Sequence, residues 1–168
     1  MVYFVLTVIS AVIFTVYVIV VSRLGGILPS LSDSYYLLEG RSKGLGMAFY
    51  GTLLLVVFTA IVPMCEIAGG FGVLAGFALL LVGAAPKFKN RKTIERGLHF
   101  GGAAAAAVSA VVILLMAGQL QTIPYAAALF LVLALASKSI KQSYVLWAEM
   151  VAFYALFAGM YIHYYPGT

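Results

Sequence analysis

Residues 2–21 read VYFVLTVISAVIFTVYVIVV, an unbroken run with no charged side chain, and Arg23 stands just beyond it. Twenty such residues at a 1.5 Å rise cover about 30 Å, the thickness of a bilayer's hydrocarbon core. No basic residue precedes the run and one follows it, the reverse of a secretory signal. The stretch is therefore expected to stay as a first membrane helix with its N-terminus outside the cytoplasm.

The rest of the chain has the same character. Of 168 residues, 64% are hydrophobic and 9% charged, with a mean hydropathy of +1.11. A soluble domain of this length could not hide so much apolar surface, so the bilayer is the expected solvent. Further apolar runs fall at 46–65, 70–85, 98–117, 120–136 and 144–164, separated by clusters of Gly, Pro and basic residues. The expected fold is all-α, a single polytopic transmembrane bundle of six helices. Six spans of about 20 residues leave no room for a separate soluble domain, which excludes most cofactor-binding folds, and no cofactor is expected. Runs three and five are short enough that either could be a re-entrant hairpin.

Charge supports the six-span count. All ten basic residues lie in three loops: Arg23, Arg41 and Lys43; then Lys87, Lys89, Arg91, Lys92 and Arg96; then Lys138 and Lys141. With six spans those loops share the cytoplasmic face, and both termini are non-cytoplasmic. Five spans would split them. The net charge of +5 is accounted for by loops meeting anionic headgroups, each basic residue contributing about 1 kcal/mol near the surface. The expected partners are membrane lipids and not nucleic acid. The single cysteine, Cys65, excludes an internal disulfide and a cysteine-based metal cluster, and reads as a small apolar filler.

Small residues indicate close helix packing: Gly72, Gly76 and Gly83 on run three, Gly101 to Ala107 on run four, and a stripe of Ala148, Ala152, Ala155 and Gly159 on run six. Such surfaces disfavour a wide channel within one subunit, though they could also join subunits of a homo-oligomer.

Candidate site residues are the polar ones at membrane depth, since an ionised side chain at a helix centre costs at least about 2.5 kcal/mol unless paired or wetted. Glu149 is expected roughly 7 Å into the last span from its cytoplasmic end, bordering the alanine stripe. His99 opens run four. The segment from Leu28 to Tyr36 carries Pro29, Ser30, Ser32, Asp33 and Tyr35; the Ser30-x-x-Asp33 spacing is that of a helix start, with the helix reaching Glu39. Topology brings Asp33, His99 and Glu149 toward one face, with Ser32 and Tyr35 beside them. Two carboxylates and an imidazole could hold a cation, relay a proton or bind a polar headgroup. A zinc site would want more nitrogen or sulfur ligands, and His163 lies at the opposite end of the last span, so no metal is expected. Ser32 lacks a Gly-x-Ser-x-Gly context for hydrolysis.

In this order, Pro29-Ser30-Leu31-Ser32-Asp33-Ser34-Tyr35, Ala85-Pro86-Lys87-Phe88-Lys89, His99 and Trp147-x-Glu149 resemble small six-span membrane proteins of bacteria and phages. More distantly they are similar to the damage-regulated autophagy modulator family and its relatives in GPI-anchor lipid remodelling. This sequence departs from that pattern in lacking the Thr-Gly that ends the family's loop after the first span, in having Pro86 to Lys89 where the family has Asn-Phe-Gln, and in placing its tryptophan two positions before the glutamate. The resemblance implies a lipid-related membrane protein, in a bacterial cytoplasmic (inner) membrane. Three functions are compatible with the residues: binding of a lipid headgroup or small cation at the polar cluster, an oligomeric channel or permeabilising protein, and an intramembrane lipid-modifying enzyme with His99 as base.

Overall fold

A computed structural model describes residues 1–88 and 92–165. Lys89 and Arg91 of the central basic loop lie outside the described residues. Among the described residues there are seven α-helices and no strand: α1 Val2–Gly25, α2 Asp33–Arg41, α3 Lys43–Ala68, α4 Gly70–Ala84, a 3-10 turn Ala85–Phe88, α5 Lys92–Met116, α6 Thr122–Ala136 and α7 Ile140–Tyr164. Four segments are long and apolar enough to cross a membrane: Val2–Gly25, Lys43–Ala68, Gly97–Met116 and Lys141–Tyr164. Two apolar helices are shorter, Gly70–Ala84 and Thr122–Ala136.

Local chemistry sets the helix ends. α1 stops at Gly26, whose φ of 73° lets its N–H return to the Ser22 carbonyl. α3 starts with Ser42, whose Oγ accepts from the Leu45 N–H at 3.1 Å. α5 begins six residues before position 98, because the polar turn from Lys92 contains no helix breaker even though it fails an apolar window. α7 begins at Ile140, before position 144, and is interrupted at Ser143, where φ is −134° and ψ is 29°.

The helices pack through the small residues. α3 lies between α1 and α4, α4 between α3 and α5, and α7 meets α1, α5 and α6. A Cβ on Gly72 would strike the Met64–Cys65 backbone, one on Gly83 the Leu53 side chain, and one on Gly102 the Ala78 carbonyl. Between them Met64, Ile113 and Met160 are fully buried, and Phe14 stacks on Phe153 with centroids 4.3 Å apart. Hydroxyl pairs join helices as well: Ser10 with Thr59 at 2.6 Å and Thr15 with Tyr154 at 2.8 Å. Large apolar side chains such as Phe58, Phe77 and Leu115 point outward, as expected where lipid is the solvent.

The stripe expected on the last helix is only half a packing surface. Ala155 and Gly159 are buried, the latter against Leu114, but Ala148 and Ala152 are exposed. Beside Ala152 lies a cavity lined by α4, α5 and α7, and that cavity belongs to the candidate site.

Candidate functional site

The site is built around the segment between α1 and α2. Ser30 organises its end: its Oγ accepts the Asp33 N–H at 3.3 Å and donates to Asp33 Oδ2 at 2.8 Å, with the Ser32 hydroxyl at 3.0 Å. The helix-start spacing is thus realised, although regular helix begins only at Asp33. Two further bonds fasten the segment to α7. Just past the interruption at Ser143, the Leu146 N–H donates to the Pro29 carbonyl at 3.0 Å. Nearly one turn further on, Glu149 Oε2 accepts the Leu31 N–H at 2.7 Å.

Above this junction is a cavity of about 400 Å³, lined by Ser30, Ser32, Asp33, Tyr36 and His99 together with Pro86 and Phe100. The structure therefore brings Ser32, Asp33 and His99 together. A carboxylate, an imidazole and hydroxyls around one open space can receive a group carrying both a cationic and an anionic end. The Ser32 hydroxyl meets Ser30, so no Ser32–His99 hydrogen bond of the kind an activated nucleophile uses is present among the described residues.

Glu149 does not share this cavity. It lines two smaller apolar cavities, of about 70 and about 90 Å³, which have Leu79, Val82, Phe153 and Glu149 in common. Ser32 lines both the wide cavity and the first apolar one. Among the described residues, no group of three His, Cys, Asp or Glu side chains stands close enough to hold a metal ion. The single cluster expected of Asp33, His99 and Glu149 is thus two adjoining sites at different depths.

Tyr35 belongs to neither, which corrects its placement beside the site. It is 4% exposed, packs edge-on to Phe49 and Tyr36, and donates its hydroxyl to Glu39 Oε1 at 2.6 Å. That hydrogen bond to a carboxylate, with burial second, raises its pKa above the ordinary tyrosine value. Tyr36 takes the place in the cavity wall expected of Tyr35. Helical spacing carries the signal, since Tyr36 lies three residues after Asp33 and four after Ser32, on their face of α2, whereas Tyr35 faces Glu39.

A second glutamate also lies within a long apolar helix. Glu66 of α3 is exposed at the end remote from these cavities, where the Tyr164 hydroxyl meets it at 2.5 Å. Its position one residue past the apolar run at 46–65 hid it from the sequence reading.

No protein-family model, curated protein or solved structure matches this chain.

Proposed function

We propose that this chain is an integral protein of a bacterial cytoplasmic membrane, crossing it six times with both termini outside, and that it binds a lipid headgroup at its cytosol-facing end. The headgroup class that fits is zwitterionic, an ammonium beside a phosphodiester. Asp33 would take the ammonium and His99 would donate to the phosphate, while Ser32 and Tyr36 supply neutral hydrogen bonds. The observation that carries this reading is the wide cavity in which Ser32, Asp33 and His99 meet. Its walls come from the helix ends beside the basic loops, where anionic and zwitterionic headgroups lie.

Native mass spectrometry of the protein released from nanodiscs tests this. With equal phosphatidylethanolamine and phosphatidylglycerol, the protein is expected to retain the ethanolamine lipid, and Asp33→Asn to lose it. His99→Ala should weaken retention, by about tenfold for one charge-assisted hydrogen bond. Equal retention by Asp33→Asn, or none by the wild type, would overturn the reading. A lipid-free ring of several subunits would favour an oligomeric channel instead.

A further inference from the structure

The headgroup reading leaves Glu149 without a task, and its surroundings are chemically distinct from the wide cavity. Among the described residues its one hydrogen bond comes from the Leu31 amide, a neutral donor, and no cation pairs with it. Around it stand two dry-walled spaces. The first is flanked by the rings of Phe14, Phe49 and Phe153, the second by the alanines of α5, including Ala103, Ala106 and Ala107. A carboxylate held among aromatic and aliphatic walls is matched by a positive charge that carries its own apolar surface.

We propose that the two cavities sharing Glu149 form a second binding site, for a compact organic monocation: a substituted ammonium bearing about one aromatic ring. The carboxylate would face the charge, while Phe14, Phe49 and Phe153 offer ring faces that attract substituted ammonium groups. Together the cavities are comparable with the roughly 150 Å³ apolar space that accepts a benzene ring. A bare inorganic cation fits poorly. Calcium takes six or more oxygen ligands, whereas here Glu149 is joined only by hydroxyls of Ser32, Thr52 and Tyr17, and Tyr17 is already hydrogen-bonded to Ser34. Ser32 is common to this site and the wide cavity, and Ala107 and Ala152 beside the second apolar cavity are exposed.

Isothermal titration of the full chain in nanodiscs with benzyltrimethylammonium, whose charge does not depend on pH, tests the site. Saturable binding of a single equivalent is expected. Glu149→Gln should weaken it about tenfold or more, the loss of one charged partner. Ala106→Leu, which fills the second cavity and keeps the carboxylate, should weaken it comparably, so the test survives if either variant fails to fold. His99→Ala, which alters the wide cavity and not the walls around Glu149, should leave it within about twofold, which separates this site from the headgroup cavity. Absence of saturable binding to the wild type would overturn the proposal. So would wild-type affinity in folded Glu149→Gln or Ala106→Leu, or loss of binding in His99→Ala. The lipid-retention result stands or falls separately.

Discussion

Gly72 is a point where two backbones nearly touch. Because a methyl there would meet main-chain atoms of Met64 and Cys65, neither side can yield by turning a side chain, and α3 and α4 must separate. Gly72→Ala is therefore expected to cost about 1–3 kcal/mol, the usual range for overpacking. Gly101→Ala, where a Cβ meets nothing within 4 Å, should be neutral or stabilising by about 0.5–1 kcal/mol through helix propensity. Unfolding in mixed detergent–SDS micelles would show Gly72→Ala destabilised and Gly101→Ala not; equal destabilisation of both would remove the close-approach argument. Tyr35 gives a pH-dependent counterpart. Its folded pKa is raised because ionisation would break the hydrogen bond to Glu39, so its stabilising contribution is fully present below the unfolded value of about 10 and fades as pH climbs toward the folded one. Tyr35→Phe should cost about 1 kcal/mol near neutrality. It should also show a shallower decline in stability above about pH 10 than the wild type, and parallel alkaline curves would contradict this.

At the scale of elements, features set by local sequence were legible and features set by neighbours were not. The six apolar runs all became helices, and Ser30 with Asp33 marked the start of α2. The early start of α5 escaped notice because hydropathy sees apolarity, while the turn from Lys92 is helical without being apolar. The interruption at Ser143 has no Gly or Pro to announce it. It is accompanied by the tertiary bond from the Leu146 N–H to Pro29, which only the folded chain can offer. The candidate site divides in the same way. Position along a helix gives approximate depth, which is how the sequence pointed to Asp33, His99 and Glu149 together. Yet Val145 lines the wide cavity while Glu149, one turn or about 5.4 Å deeper, lines the apolar ones. A single turn of α7 separates two chemistries, and the Leu31 amide that holds Glu149 in its place comes from a loop whose path no periodicity describes.

The whole molecule poses the question of how many helices cross the membrane, and the two short ones decide it. α4 has 15 residues, about 22 Å at the α-helical rise, but the four residues of Ala85–Phe88 continue it as a 3-10 turn for about 8 Å more, which reaches the thickness of the hydrocarbon core. α6 also has 15 residues and no such extension; it is bounded by Gln119 and Gln121 at one end and by Ser137 to Ser139 at the other. A helix lying in the interface would carry a charged face. α6 has no charged residue; Leu131, Val132 and Leu133 are exposed in succession, and Leu135 is exposed beyond the buried Ala134, so its outer surface suits lipid. Crossing with local thinning of the bilayer, at a fraction of a kcal/mol per ångström of mismatch, costs less than pressing such a surface against water. The prediction is therefore alternation. In a Cys65→Ser background, Gly40→Cys and Ser137→Cys should react with a membrane-impermeant maleimide only in inside-out vesicles, and Gln121→Cys only in spheroplasts. If the cysteines at 121 and 137 label from the same side, α6 does not cross and the six-span topology fails with it; if those at 40 and 137 fall on opposite sides while 121 and 137 differ, the crossing that fails lies among α3, α4 and α5.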